Sequence, residues 1–176
     1  MKNLSHFLSI LFLVNMLASP MHAEPNDAAT TQTIQFTPPV GWRIADETAL
    51  LKHVKLMVVG KGSNDFPPSI SLAVEPYSGS LKQYLKIVKK LNDSKGNEWK
   101  DLGSIRTDAG NASFTQTDSK SQWGEIKMMH VMLKKDGNIY ILTAAVLRDE
   151  FPKFYKEIFA SLRSLHFSSL TEIEAK

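Results

Sequence analysis

The stretch that most limits what this chain can fold into is a pair of apolar runs, residues 126–134 and 139–147, set on either side of Asp136-Gly137. Asp-Gly between such runs is a strong signal for a two-residue β-hairpin, because both turn positions must tolerate positive φ. Side chains alternate along a strand, so Ile126, Met128, His130 and Met132 share one face, and Met129, Val131 and Leu133 the other. The partner run repeats the pattern, with Tyr140, Leu142, Ala144 and Val146 opposing Ile139, Ile141, Ala145 and Leu147. Antiparallel sheets commonly leave one face to water, but here both faces are apolar and both need cover. The expected architecture is a three-layer α/β/α sandwich, of α+β class, around a mainly antiparallel central sheet. A lipocalin-type barrel or a simple two-layer sheet fits the pattern less well.

Two segments can supply the covering layers. After Ser78 or Ser80, either of them a suitable N-cap, Leu81, Tyr84, Leu85, Val88 and Leu91 form an apolar stripe at helical period. Lys82, Lys86, Lys89 and Lys90 occupy the other side of that helix; such a face can bind acidic lipids or partners, but a solvated face is the simpler reading. A second helix starts near Asp149-Glu150, acids that suit a helix N-terminus, with Pro152 in its first turn and a broad stripe that includes Phe151, Phe154, Ile158 and Leu162. Further strands are read at 34–37, stopped by Pro38-Pro39, and at 54–59, 70–75, 102–107 and 112–117.

The N-terminus carries an address rather than fold. Lys2 precedes the apolar run 7–18, Pro20 breaks it, and Ala23 offers a small residue at a cleavage position, so residues 1–23 read as a secretory signal peptide. The run is short for a bilayer span, which favours removal over anchoring and leaves no stable membrane span in the mature chain. Residues 24–32 are a small, polar lead-in, 33–167 one domain, and 168–176 a loose tail. The chain has no cysteine, which excludes disulfides, thiolate metal sites and cysteine catalysis. Its formal net charge of +3 loses a lysine with the signal, too mild a balance to argue for nucleic acid.

The order and spacing of several short motifs resemble the PsbP-like fold family, shared by the extrinsic photosystem subunit PsbP, the Ran-binding Mog protein and many small secreted bacterial proteins. The matching residues are Phe36, Pro39, Gly41 and Trp42, then Pro68-Ser69-Ile70, Leu81 with Tyr84, Leu102-Gly103, and Ser164-Leu165-His166-Phe167. The resemblance implies a three-layer fold without an active site, whose members dock on other proteins or assist assembly, some being proposed to hold metals. Within it, Gly41 permits a tight turn and Trp42 packs as a plug between the first strand and the sheet, a structural role preferred to ligand stacking.

Chemistry-bearing patterns are sparse. His53, His130 and His166 are far apart and stand in no zinc-binding spacing, no nucleophile elbow or phosphate loop is present, and the carboxylates are scattered. One cluster has metal-binding character: Met128, His130 and Met132 on one strand face, thioethers and an imidazole that together suit Cu(I). Core packing is the competing reading, since methionine fills gaps in central strands. The loop 60–68, with Lys61, Asp65 and an exposed Phe66, is the candidate docking surface. The expectation is a non-enzymatic exported protein, periplasmic or extracellular and without a cofactor. It binds, or assists assembly of, another envelope or extracellular protein. The alternative is a small-ligand or copper carrier built on the Met128/His130/Met132 face.

Overall fold

The computed structural model describes residues 32–62 and 66–169. The expected signal segment, all of the lead-in but Gln32, the tail from 170 onward, and Asp65 lie outside the described residues. The strands are β1 (Gln32–Gln35), β2 (Arg43–Ile44), β3 (Val54–Val59), β4 (Ser69–Pro76), β5 (Glu98–Thr107), β6 (Gly110–Ser121), β7 (Gly124–Lys135), β8 (Asn138–Leu147) and β9 (His166–Ser169). The helices are α1 (Leu81–Ser94) and α2 (Phe151–Arg163). β1 pairs with β9 in a small sheet, and the other seven strands form one sheet in the order β2-β3-β4-β8-β7-β6-β5, with every pairing antiparallel.

The β7–β8 hairpin is the centre of that sheet. Its turn residues Asp136 and Gly137 have φ of 47° and 73°, so both occupy the left-handed region that this tight turn requires. The register puts Met129 beside Ala144 and Val131 beside Leu142 on one face, with Met128 beside Ala145 and Met132 beside Ile141 on the other. α2 covers the first face. Phe154, Ile158 and Leu162 pack there with Val58, Ile70, Leu72, Phe114 and the hairpin residues, forming the largest core. Ile158, Leu162 and Leu165 are completely buried, and each such side chain contributes about 1.5–3 kcal/mol through burial.

α1 covers only part of the opposite face. Leu81, Tyr84, Leu85 and Val88 pack there on Ala73, Met132, Ile139 and Ile141. Its start is set by a capping box: the Ser80 hydroxyl accepts the Gln83 amide at 3.2 Å, and the Gln83 side chain accepts the Ser80 amide at 2.8 Å. The Tyr84 hydroxyl donates to Glu75 at 2.6 Å, tying the helix to β4, and burial raises the Glu75 carboxyl above its ordinary range. Beyond the helix, loop residues complete the layer: Leu50, Leu51, Phe66 and Trp123 close over Met57, Val59, Met128 and Leu147. The expected three-layer sandwich is therefore observed, with one outer layer made half of helix and half of loop.

The sequence reading differs from the structure at β5, which begins at Glu98 rather than Leu102, and at β6, which continues to Ser121. Apart from Trp99 both extensions are polar; the one in β5 lies on the edge strand and the one in β6 pairs with β7, so backbone pairing, rather than apolar alternation, holds them. A bulge between Asp101 and Ser104, with Gly103 at φ 86°, interrupts their pairing.

Candidate functional site

Three surfaces have a claim on function, and two of them were read from the sequence. Met128, His130 and Met132 do share a face of β7, as alternation requires. Met128 nevertheless packs in the apolar cluster with Phe66 and Leu147, and Met132 in the separate cluster under α1. His130 lies between the two clusters, half-buried, its Nδ1 2.9 Å from the Thr143 hydroxyl. Burial pushes its imidazole down to about 4, so the ring is neutral at physiological pH. The groups opposite His130 in register are hydroxyls, Thr115 on β6 and Thr143 on β8.

The loop 60–68 needs one correction. Phe66, expected to be exposed, is only 2 % exposed: it packs in the loop-covered cluster, its ring centroid 5.7 Å from that of Trp123. The large apolar area of the ring explains this, because leaving it in water would forfeit the burial energy that closes this end of the sheet. Lys61 is exposed. The neighbouring edge strand β2 and the turn before it present apolar side chains that the sequence reading did not single out. Val40 is 101 % and Ile44 68 % exposed, and no strand pairs with the outer side of β2 among the described residues. Trp42 sits between them. Its amide donates to the Pro39 carbonyl at 3.2 Å, its ring stands edge-on to Phe154 at 6.2 Å, and it lies against Gly60 so closely that a β-carbon there would come within 2.6 Å. Trp42 packs between Phe154 of α2 and Gly60 at the end of β3, in the same core cluster as Phe36.

The third surface is a groove between α1 and the β5–β6 hairpin, with a volume of about 440 Å³. Leu81 and Leu85 form its helix wall and Trp99 its strand wall, while Lys82, Lys86 and Lys89 line the helix side and Asp101 and Ser113 the strand side. Next to it, the face of β4, β6 and β8 that points toward α1 is unusually polar for a sheet interior. Ser69, Ser71, Thr115, Thr117 and Thr143 are all buried there. The hydroxyls of Ser71, Thr115 and Thr117 and the indole nitrogen of Trp99 are buried without a hydrogen-bond partner. The lysines were visible in the sequence; the groove was not, because nothing in the sequence places Trp99 of β5 opposite them.

No protein-family model matches the chain, and no curated protein is significantly similar to it. Solved structures are similar. LpqN of Mycobacterium tuberculosis, described as involved in cell envelope biogenesis, matches with a TM-score of 0.56 at 16% identity over 80% of this chain and 86% of LpqN. The cyanobacterial PsbP of Synechocystis sp. PCC 6803 matches with a TM-score of 0.47 at 10% identity, over 82% of this chain and 98% of its own. A protein of unknown function from Pseudomonas aeruginosa matches with a TM-score of 0.44 at 13% identity, over 81% of this chain and 92% of its own. At such identities the likeness is one of fold. The fold shared with LpqN agrees with the α/β sandwich expected from the sequence, and the Ran-binding Mog part of the resemblance is not confirmed. No helix among the described residues is long and apolar enough to cross a membrane.

Proposed function

We propose that this chain is a non-enzymatic exported protein that binds, or assists assembly of, another envelope or extracellular protein, and that it docks through the β2 edge of its sheet. The observation that carries this reading is the exposure of Val40 and Ile44 on an edge strand, next to the segment that bears Lys61. Exposed apolar side chains on an unpaired strand edge offer a partner both apolar surface and free backbone groups to pair with. The fold shared with LpqN, an envelope-biogenesis protein by its description, supports the envelope assignment. The signal-like N-terminus supports export. A photo-crosslinker at Val40 or Ile44 should capture one partner from the protein's own envelope, and Ile44→Asp should lower that yield about tenfold. Equal capture from Tyr155, an exposed position on α2, would show that the edge has no special role.

The copper alternative rests on the shared face of Met128, His130 and Met132 and on the neutral imidazole, a form ready to accept a metal. The docking reading predicts that equimolar Cu(I) leaves the Tm unchanged. A rise that His130→Ala abolishes would establish the carrier reading instead.

A further inference from the structure

We propose that the groove between α1 and the β5–β6 hairpin binds a small organic carboxylate with an apolar body. Its volume of about 440 Å³ falls in the range of small-ligand sites, and Leu81, Leu85 and Trp99 give it the apolar walls such sites have. The charge on its rim selects the sign of the ligand. Lys82, Lys86 and Lys89 recur at i, i+4 and i+7, so they stand in a row along one side of α1. Lys89 is paired with Asp93 at 2.6 Å, whereas Lys82 and Lys86 have no acidic partner among the described residues. The one carboxylate in the groove, Asp101, accepts the Gly103 amide at 2.8 Å and is engaged in the β5 bulge.

A second, independent observation lies in the strand wall. The indole N–H of Trp99 is buried with no acceptor, although Trp99 lines the groove. Thr117 is directly opposite Trp99 in the β5–β6 register, and Thr115 opposite Asp101; both are essentially buried, and both hydroxyls lack a partner. Buried donors without acceptors are destabilising, so an indole N–H left without one in the wall of a cationic groove is suited to a ligand that accepts; the two threonines lie behind that wall rather than in its lining. A carboxylate accepts from ammonium, indole and hydroxyl groups alike. The walls then take up the apolar remainder of the molecule. This site is distinct from the β2 edge, which is the other outer strand of the same sheet.

The test is an NMR titration of the full mature protein with decanoate, following the Trp99 indole N–H resonance, assigned with Trp99→Phe. Decanol and decyltrimethylammonium serve as the neutral and cationic comparisons. The expected result is a saturable shift with decanoate alone, and a Kd raised about tenfold in the Lys82→Gln/Lys86→Gln variant, whose substitutions are on exposed positions. A Trp99 resonance that does not move, an equal response to decanol or the cation, or an unchanged Kd in the double variant would each overturn the proposal. None of these outcomes depends on whether a protein partner binds at β2.

Discussion

Trp42→Ala should lower the unfolding free energy by about 3 kcal/mol, the low end of the range for removing a large aromatic side chain that is only partly buried. The indole is held from two sides. Phe154 of α2 stands edge-on to it, and Gly60, just past the end of β3, lies beneath it. Gly60 is needed there for space rather than for its backbone conformation. A β-carbon at this position would lie 2.6 Å from Cε2 and 2.9 Å from Cζ2 of the indole, closer than such atoms approach one another. A rigid ring backed by a second ring cannot simply turn aside, so Gly60→Ala should itself cost about 1–3 kcal/mol. The two effects must be coupled, because the clash exists only while the indole is present. In the Trp42→Ala background, Gly60→Ala should therefore cost less than about 0.5 kcal/mol. Urea unfolding of the four proteins measures the cycle, and strict additivity would show that the ring does not sit where the geometry puts it.

Acidification should destabilise the protein through His130. In the unfolded chain this group titrates near 6.5, while burial holds it down to about 4 in the folded protein. Above pH 6.5 neither state carries the proton and the stabilisation is complete. As the pH falls toward 4 the unfolded state takes up the proton first, so stability declines at up to about 1.4 kcal/mol per pH unit, and by as much as about 3 kcal/mol in total. Glu75 works in the opposite sense. Its carboxyl is raised by burial, so its contribution is fully present below its unfolded value of 4.5 and is lost as the pH rises through the folded value. The net acid profile mixes the two groups, and the variant His130→Gln separates them while keeping a polar group for Thr143. The difference in unfolding free energy between the native protein and this variant should shrink as the pH falls from 7 to 4. A difference that stays constant would mean that His130 protonates as easily in the folded protein as in the unfolded one.

The central hairpin was legible because each of its signals agrees with the others. Asp136-Gly137 demands a tight turn, alternation assigns the faces, and apolar residues on both faces demand two covering layers. α1 was equally plain, since its stripe of Leu81, Tyr84, Leu85 and Val88 is the stripe that packs on the sheet. What stayed hidden depends on long-range contacts. The segment 98–101 reads as a polar loop, and only its pairing with β6 makes it strand. Phe66 follows a glycine-rich stretch and looked exposed, but Trp123, far away in sequence, draws it under cover. The groove needs α1 and β5 at once. Ser113, Thr115 and Thr117 alternate along β6 as a solvent-facing edge would, yet Thr115 and Thr117 lie inside the protein because α1 and the neighbouring strands cover that face.

The central claim, docking through the β2 edge, is tested most directly by site-specific photo-crosslinking in the protein's own cell envelope from Val40, Ile44 and Tyr155. The account predicts one common partner, captured in stoichiometric amount from Val40 and Ile44, absent from Tyr155, and lost in Ile44→Asp. Capture of the same proteins from all three positions, or of none from Val40 and Ile44, would contradict it.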